Sequence, residues 1–334
     1  MRSSASRSSC DPGHTRPRVL ITEELHASHA ALGDDVEVFE EADLWSRPED
    51  LRRQIASAEG LVVRNHTIVD RELLAAAPVL RVVGRMGAGL DNVDVEALRE
   101  RGMNLVHGRG LNARAVAEYA LGAAIVLVRR MTEADRQVRA GQWRRHVGLE
   151  LRGQRLGVVG LGATGAELCR LGLALGMEVI GHDPFLAPPG LVAAASLEEL
   201  LRRSLVVRLH VPLVPATRNL IGGAQLALMP PGAILVNAAR GGVVDEVALA
   251  DALRSGALGG AALDVRAKEP PPPDDPLRGL ENVLLTPHLA GLTRQSQQAI
   301  AEHVLRTIRQ VLLSPAKSDR EVGGVPGVAG GPRT

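Results

Sequence analysis

Aromatic side chains and long apolar runs are both scarce in this sequence. Only five of its 334 residues are Phe, Trp or Tyr, so it offers too few aromatic rings to stack on the bases of a nucleic acid. Its longest apolar stretch, near residues 121–128, is too short to cross a bilayer. We therefore expect neither a nucleic-acid partner nor a membrane partner.

Cysteine is scarce as well, and the charge is balanced. The two cysteines, Cys10 and Cys169, give no disulfide framework and no metal-ligand spacing. This usage is typical of a reducing compartment, so we expect a cytoplasmic protein without a metal site. The 39 basic and 38 acidic residues leave a net charge of +1, which does not indicate a polyanionic partner. Length and composition together indicate a globular protein of about two domains.

A glycine-rich motif lies in the middle of the chain, between an apolar run and a helical pattern. The run covers residues 156–159, and the motif is Gly160-Leu161-Gly162-Ala163-Thr164-Gly165. In a strand–turn–helix unit, the first glycine permits a tight turn, the second lets the backbone approach a pyrophosphate, and the third lets the helix pack closely on the strand. The helix N-terminus then offers free N–H groups and the positive end of its dipole to the phosphates. The motif therefore predicts a dinucleotide site.

An acidic residue ends the next apolar run and indicates which dinucleotide binds. Asp183 follows Gly160 by 23 residues, where a carboxylate accepts hydrogen bonds from the ribose hydroxyls. A 2′-phosphate would meet like charge there, and residues 184–186 offer no Arg to receive one. The sequence therefore predicts NAD, in preference to NADP, as the cofactor.

Apolar and amphipathic segments alternate along the rest of the chain, which is typical of parallel sheets. In the first half we predict strands at residues 18–22, 36–39, 60–63, 80–84 and 104–107. In the second half we predict strands at residues 156–160, 178–182, 205–210, 233–237, 260–265 and 282–285. The predicted fold class is α/β, with two doubly wound parallel-sheet domains. One is a Rossmann NAD-binding domain inserted in a flavodoxin-like substrate domain.

Long helical patterns separate the two predicted domains. They cover residues 112–130, a second piece that continues to residue 143, and residues 293–313, whose length suits a return to the first domain. We predict a substrate-binding domain at 18–111 plus 292–313, an NAD-binding domain at 112–291, and disordered tails at 1–17 and 314–334. Because ligands of such sheets bind beyond the carboxyl ends of strands, we expect the active site in a cleft between the domains.

Chemically capable residues follow several predicted strands. They are Arg64, the loop with Ala88 and Gly89, Arg240, Asp264 and His288. Hydride transfer to or from a substrate also exchanges a proton at oxygen, and His288 is the side chain best suited to that near neutral pH. Glu269 is the best-placed carboxylate to favour its protonated form and fix its tautomer. Arg240 stands beside two glycines, whose lack of side chains gives its guanidinium room to bind a carboxylate in bidentate fashion.

Each of these residues also has a structural interpretation. A histidine at a strand end is often structural, Arg240 could cap a helix or pair with a surface acid, and Asp264 could be an ordinary strand-end acid. The pattern alone leaves both interpretations open.

With its motifs taken in order, the sequence resembles the D-isomer-specific 2-hydroxyacid dehydrogenase family over about residues 18–313. The motifs are Gly84-Arg-Met-Gly-Ala-Gly-Leu-Asp-Asn-Val-Asp94, Asn112-Ala-Arg-Ala-Val-Ala-Glu118, Gly160-Leu-Gly-Ala-Thr-Gly165, His210-Val-Pro-Leu213, Asn237-Ala-Ala-Arg-Gly-Gly-Val-Val-Asp245, Ala262-Leu-Asp-Val265, Glu269-Pro270 and Thr286-Pro-His-Leu-Ala-Gly291.

The resemblance implies roles for particular residues. Arg240, Glu269 and His288 would form the catalytic trio, with His288 as the proton donor in reduction. The implied cofactor contacts are Gly160, Gly162, Ala163, Thr164, Gly165, Asp183, His210, Val211, Ala238, Ala239, Arg240, Asp264, His288 and Gly291. Substrate would be held by Arg240 and the backbone of Ala88 and Gly89, while Arg64 would reach a charged substrate tail.

Further expectations come from the same resemblance. It implies a homodimer, with Trp143 reaching toward the partner, and the apolar helix at 112–130 also suggests burial against another chain. Arg109 stands where the family usually has Pro, which would add charge near the cleft or face solvent. Residues 64–67 look most like the sulfolactate dehydrogenase branch. No regulatory domain follows the last helix, so serine-type feedback is not expected.

The leading hypothesis is an NAD-dependent oxidoreductase that interconverts a small 2-hydroxy acid and its 2-keto acid, of the hydroxypyruvate, glyoxylate, phosphoglycerate or sulfolactate type. Two alternatives stay open. One is a phosphite-type dehydrogenase of the same fold; the formate branch is disfavoured because it pairs its His with Gln where Glu269 stands. The other is a non-catalytic NAD(H)-sensing binding protein, since such proteins can retain the trio.

Overall fold

The computed structural model describes residues 16–314. The predicted tails and Cys10 lie outside the described residues, apart from residues 16, 17 and 314. The described chain divides into two compact units. The first contains residues 16–86, 90–107 and 301–314, and the second contains residues 87–89 and 108–300.

The first unit is built on a five-stranded parallel sheet. Its strands are β1 (Arg18–Ile21), β2 (Glu37–Glu40), β3 (Gly60–Val63), β4 (Val82–Arg85) and β5 (Asn104–His107). Their order is β2-β1-β3-β4-β5, the flavodoxin-like arrangement. The strand order reverses between β1 and β3, so the loops that follow these two strands lie at the topological switch point, where ligands of such sheets bind.

Short helices connect these strands. They are α1 (Pro48–Ile55), α2 (Arg71–Ala75) and α3 (Val95–Glu100). α2 and α3 begin where Asp70 and Asp94 accept hydrogen bonds from the backbone N–H groups of Leu73 and Ala97, which satisfies donors that the first turn leaves unpaired. All four residues of β3 are buried, as the apolar run predicts.

The second unit is built on a seven-stranded parallel sheet. Its strands are β6 (Arg155–Val159), β7 (Glu178–His182), β8 (Ala193–Ala194), β9 (Val206–Leu209), β10 (Ile234–Asn237), β11 (Gly260–Leu263) and β12 (Val283–Leu285). Their order, β12-β11-β10-β9-β6-β7-β8, is that of a Rossmann sheet with one further strand. The order reverses between β6 and β9, which places the switch point directly beyond the glycine-rich loop.

The helices that follow β5 belong wholly or partly to this unit. They are α4 (Ala113–Val128), α5 (Met131–Arg139), α6 (Ala163–Ala174), α7 (Leu197–Arg203), α8 (Gly223–Leu226), α9 (Glu246–Arg254) and α10 (Arg294–Leu313), whose residues from 301 onward belong to the first unit. Two apolar clusters fill the two faces. The small residues of α4, among them Ala117, Ala120 and Ala124, are buried in one of these clusters, so this face packs inside its own unit.

The predicted fold class is confirmed by the two parallel sheets, and two local predictions need correction. α5 ends at Arg139 rather than near residue 143, and Gly141 follows with a φ of 74°, a left-handed conformation that glycine adopts without strain. β8 was not predicted because its two exposed alanines carry no apolar run. In the described residues, no helix is both long enough and apolar enough to span a bilayer.

Candidate active site

The three glycines of the central motif have different surroundings. Gly160 has a φ of 93°, and a Cβ there would lie 2.6 Å from the carbonyl oxygen of His210. A Cβ on Gly165 would overlap the carbonyl oxygen of Gly160, so the first turn of α6 packs directly on the loop. A Cβ on Gly162 would meet nothing within 4 Å, and Gly162 supplies no side-chain cap to α6. The start of α6, with Ala163 and Thr164, therefore faces open space, and this cradle fits the pyrophosphate of a dinucleotide.

Asp183 directly follows β7 and is hydrogen-bonded to the glycine-rich loop. Its Oδ2 accepts the N–H of Leu161 at 2.8 Å. Its Oδ1 accepts the N–H groups of Phe185 at 2.8 Å and Leu186 at 3.1 Å. The carboxylate is therefore held in place by backbone donors. Oδ2, which accepts a single N–H, keeps a lone pair for a further donor such as a ribose hydroxyl.

His210 and Val211 follow β9, next to the glycine-rich loop. The N–H of His210 donates to the carbonyl of Val159 at 2.7 Å. The buried Nε2 of its imidazole has no hydrogen-bond partner within residues 16–314. Burial, assisted by the charge of Arg208, lowers the pKa of His210 well below its usual value, so the ring is neutral at pH 7.

Arg208 is a buried cation that sequence reasoning did not single out. It is fully buried on β9, and its guanidinium nitrogens have no hydrogen-bond partner in the part of the chain described. Burial lowers the pKa of Arg208 to about 10, against the opposing effects of Tyr119 and Asp264. The side chain is therefore charged at neutral pH. The sequence does carry a signal for this buried cation, because Arg208 is a charged residue within the apolar run at residues 205–211.

The turn after β10 carries Arg240 and is shaped by Asn237. The amide Nδ2 of this buried residue donates to the carbonyl of Arg240 at 2.9 Å, and its Oδ1 accepts the N–H of Ala239 at 3.0 Å. Both bonds lie across the turn formed by Ala238, Ala239 and Arg240, all partly exposed. Asn237 therefore holds the backbone that presents the Arg240 guanidinium.

Asp264 follows β11 and joins the turns after three neighbouring strands. Its N–H donates to the carbonyl of Asn237 at 2.9 Å, and its own carbonyl accepts the N–H of His288 at 2.7 Å. Its carboxylate accepts the Thr286 hydroxyl at 2.6 Å and the N–H groups of Leu289 and Ala290, each at 2.8 Å. The single hydroxyl proton of Thr286 is used in this bond, so the Tyr119 hydroxyl, 2.6 Å away, donates to Thr286.

Glu269 and His288 form a hydrogen-bonded pair at this edge of the sheet. Nδ1 of His288 lies 2.8 Å from Oε2 of Glu269, and the two side chains are 49 % and 40 % exposed. His288 has a φ of 54°, a left-handed conformation that is uncommon for residues other than glycine. Such strain concentrates at functional sites. A half-exposed imidazole hydrogen-bonded to a carboxylate is a typical arrangement for general acid–base chemistry.

Arg64 lies in the first unit, after β3, in a loop organised by a buried glutamate. The carboxylate of Glu23 accepts the N–H groups of residues 64–67 at 2.8–3.0 Å. These backbone hydrogen bonds outweigh the effect of burial and lower the pKa of Glu23. The Arg64 guanidinium donates to the carbonyl of Glu24 at 2.9 Å and makes no ion pair within the described residues. Burial lowers the pKa of Arg64, which Glu23 and Glu24 partly offset.

The remaining predicted residues are placed as follows. Ala88 and Gly89 are partly exposed in the second unit, where the Gly87 carbonyl accepts the N–H of Gly108 at 2.8 Å. Gly291 packs on Asn112, whose Nδ2 a Cβ would approach to 2.7 Å. Arg109 is exposed.

No metal or thiol chemistry is apparent at this edge. The described residues contain no group of three or more His, Cys, Asp or Glu side chains that could hold a metal ion. Cys169 is buried on α6, and burial raises the pKa of its thiol to about 11, which leaves it un-ionised at neutral pH.

The second unit thus collects its functional candidates at one edge. Because all its strands are parallel, the residues that follow β6, β7, β9, β10, β11 and β12 come to the same edge of the sheet. A glycine-rich loop on the same sheet edge as a Glu–His pair is typical of nicotinamide-dependent oxidoreductases with two α/β units.

Comparisons with known proteins identify the family within that class. A family model described as the D-isomer specific 2-hydroxyacid dehydrogenase, NAD binding domain, matches residues 121–290. The chain is 43 % identical over 302 residues to a (S)-sulfolactate dehydrogenase of Chromohalobacter salexigens, covering 88 % of this chain and 98 % of the relative. This chain belongs to the D-isomer specific 2-hydroxyacid dehydrogenase family, and its cofactor is NAD.

Two further similarities bear on fold and length. A crystal structure of D-lactate dehydrogenase from Aquifex aeolicus, complexed with NAD and lactic acid, superposes with a TM-score of 0.78 at 26 % identity, covering 87 % of this chain and 94 % of that one. A D-3-phosphoglycerate dehydrogenase of Methanocaldococcus jannaschii is 39 % identical over 302 residues, which is 88 % of this chain. The chain spans only 57 % of that relative. It therefore covers about half the length of the phosphoglycerate dehydrogenases of this kind.

Because a Cβ on Gly162 would meet nothing within 4 Å, we expect a substitution there to affect cofactor binding without affecting folding. Gly162→Ala should weaken NADH binding at least about tenfold, because the added methyl group occupies the space that the pyrophosphate needs. The free energy of unfolding of this variant, measured without cofactor, should differ from that of the unaltered protein by no more than about 1 kcal/mol, because only the N-cap of α6 is changed. Fluorescence titration with NADH and urea denaturation measure the two quantities.

Gly165→Ala is the matched comparison, because its methyl group would overlap the Gly160 carbonyl. It should lose stability as well as binding. Unchanged NADH affinity in Gly162→Ala would contradict the placement of the pyrophosphate.

Proposed function

We propose that this chain is an NAD-dependent dehydrogenase that interconverts a small 2-hydroxy acid and its 2-keto acid. The observation that carries the proposal is the Glu269–His288 pair, joined at 2.8 Å, on the same sheet edge as the glycine-rich loop and Asp183. Family membership and the NAD cofactor support it, since this reaction needs an acid–base group beside a nicotinamide site.

The cofactor-binding residues divide into two groups in this proposal. The pyrophosphate lies on Gly160, Gly162, Ala163, Thr164 and Gly165, and the ribose diol on Asp183. The nicotinamide half lies along the other strand ends, in contact with His210, Val211, Ala238, Ala239, Arg240, Asp264, His288 and Gly291. A neutral His210 suits this position, because an imidazolium would repel the positive ring of the oxidised cofactor.

The substrate-binding residues have two roles, which are to bind the substrate carboxylate and to transfer a proton. Arg240 and the N–H groups of Ala88 and Gly89 bind the substrate carboxylate. His288 donates its proton to the keto oxygen in reduction and removes it from the hydroxyl group in oxidation, while Glu269 holds the imidazole in one tautomer and stabilises its charged form. The bound nicotinamide supplies or accepts the hydride.

The distal end of the substrate is proposed to be anionic, a sulfonate or a phosphate. The Arg64 guanidinium makes no salt bridge within the described residues, although Glu23 and Glu24 lie close enough to act on it electrostatically. The relative that this chain covers almost completely is named a sulfolactate dehydrogenase, which favours a sulfonate.

A panel of 2-keto acids assayed with NADH and NADPH tests the proposed reaction. NADH should be preferred, because Asp183 repels a 2′-phosphate. His288→Ala should lose about 10²- to 10⁴-fold in kcat, with NADH binding retained. Glu269→Gln should move the loss of reduction at high pH to lower pH, because the protonated imidazole loses its stabilising carboxylate.

The same panel separates the alternatives. NADH binding without turnover of any 2-keto acid would favour an NAD(H)-sensing binding protein, and NAD reduction by phosphite would favour the phosphite-type enzyme. Near-normal turnover by His288→Ala would remove His288 from the reaction.

Comparison of charged-tail and neutral-tail substrates tests the role of Arg64. Sulfopyruvate and phosphohydroxypyruvate should each exceed hydroxypyruvate in kcat/KM by roughly 10- to 150-fold, the worth of a charge-assisted contact. Arg64→Ala should remove that difference and leave hydroxypyruvate unaffected. Arg109→Ala, a change at an exposed arginine, is the matched control. An equal loss on all three substrates would show that Arg64 does not bind the tail.

The chain is further proposed to form a homodimer in the cytoplasm. The small residues of α4 are buried in their own unit, but exposed apolar side chains follow it in Met131, Val138, Trp143, Val147 and Leu149. Such a patch is typical of an interface, and Trp143, 79 % exposed, is the residue best placed to reach a partner.

Light scattering at micromolar concentration should give twice the chain mass of 35.3 kDa, and Trp143→Ala should weaken association; a monomer would contradict the proposal. Cell fractionation tests the location.

A further inference from the structure

Arg266 is a buried arginine, two residues after Asp264, whose side chain binds two carboxylates. Its side chain is only 6 % exposed. Nη1 and Nη2 donate to the two oxygens of Asp275 at 2.8 and 2.7 Å. Nε and Nη2 donate to the two oxygens of Glu246 at 3.2 and 2.8 Å. Both contacts are bidentate, an arrangement that the planar guanidinium allows and a lysine ammonium does not.

The backbone of the same residue is bound to the proposed acid–base pair. The N–H of Arg266 donates to Oε1 of Glu269 at 2.9 Å, and the other oxygen of Glu269 lies 2.8 Å from Nδ1 of His288. The next N–H, that of Ala267, donates to Glu246 at 2.7 Å. Glu269 is therefore connected to Glu246 and Asp275 through one residue, Arg266.

The turn that carries Arg240 rests on the same backbone. A Cβ on Gly241 would overlap the main-chain carbonyl of Arg266 and the nitrogen of Ala267. Only glycine permits this approach, so a shift of Arg266 also displaces the residue next to Arg240.

The exposure of the acid–base pair explains why such support is needed. Glu269 and His288 are 40 % and 49 % exposed, and a half-exposed ion pair is weak because its side chains lose rotamer freedom when they meet. Arg266 and Asp275 are buried, and Arg266 lowers the pKa of Asp275 through their hydrogen bonds. Glu269 thus joins the buried, charged cluster around Arg266 to the half-exposed imidazole of His288.

We propose that Arg266, held by Glu246 and Asp275, is a positioning residue that fixes Glu269 against His288. This inference rests on the proposed function for its catalytic meaning, but the positioning itself does not depend on turnover. The ionisable groups hydrogen-bonded to the His288 segment are Glu269, on the imidazole, and Asp264, whose carbonyl accepts the His288 N–H and whose carboxylate binds residues 289 and 290.

Titration of the His288 imidazole by NMR measures the positioning without any substrate. The His288 signal is assigned by its loss in His288→Ala. In Glu269→Gln the titration midpoint should move to lower pH. In Arg266→Met it should move in the same direction but by less than in Glu269→Gln, because the Glu269 carboxylate is displaced and not removed.

The direction of this shift separates positioning from a direct charge effect. Removal of a nearby positive charge would by itself favour the imidazolium and move the midpoint to higher pH. Loss of the Glu269 contact moves it to lower pH. The double variant Arg266→Met/Glu269→Gln should titrate like Glu269→Gln alone, because Arg266 acts through Glu269.

Arg254→Met is the matched control. The Arg254 side chain donates to the carbonyl of Pro276, next to Asp275, but makes no contact with residues 266–269. It should leave the His288 midpoint unchanged. If Arg266→Met fails to fold, Arg266→Lys and Asp275→Asn each remove part of the bidentate contacts and should produce smaller shifts to lower pH.

Reductase assays then connect the positioning to the reaction. In Arg266→Met kcat should fall by up to about 100-fold, the loss that a small misplacement of a catalytic group causes, while NADH binding is retained. An unchanged or higher His288 midpoint in Arg266→Met would overturn the inference. Absence of keto-acid reduction by the unaltered protein would instead overturn the proposed function, and the NMR result would still stand.

Discussion

The hydrogen bonds of Asp264 are the interaction on which the arrangement of the active edge depends. Its main chain binds Asn237 and His288, and its carboxylate binds Thr286, Leu289 and Ala290. A carboxylate that is 1 % exposed is costly to bury unless donors and opposite charge surround it. Three hydrogen bonds and the nearby cation Arg208 meet that requirement. The turns after β10, β11 and β12 are consequently tied to one residue.

A second constraint is that a reactive pair must reach solvent while its geometry stays fixed. Glu269 and His288 are half exposed, and His288 has a left-handed backbone, so neither is held by burial. The structure places buried charge directly behind them, in the contacts of Arg266 with Glu246 and Asp275. The hydrogen bonds of this buried ion cluster are directional, so they can orient the half-exposed pair. Apolar contacts have no such directionality.

The first unit applies the same principle without a salt bridge. One buried carboxylate, Glu23, accepts the backbone N–H groups of residues 64–67 and so shapes the loop that carries Arg64. The guanidinium is hydrogen-bonded to the main-chain carbonyl of Glu24 rather than to a carboxylate. In both units, then, a buried charged residue sets the conformation of a loop at the carboxyl ends of parallel strands.

The fold class could be predicted from the sequence, because apolar runs at regular spacing leave few arrangements other than two parallel sheets, and nearly all strands appear where predicted. The sequence also indicated the glycine-rich loop, since the positive φ of Gly160 and the close approach of Gly165 to the Gly160 carbonyl both require glycine. It did not reveal β8, whose two alanines carry no pattern, or the end of α5. The burial of Arg208 and the partners of Arg266 and Glu23 became visible in the three-dimensional structure alone. A charged side chain shows its type in the sequence, but its burial and its partners depend on residues brought together from distant parts of the chain.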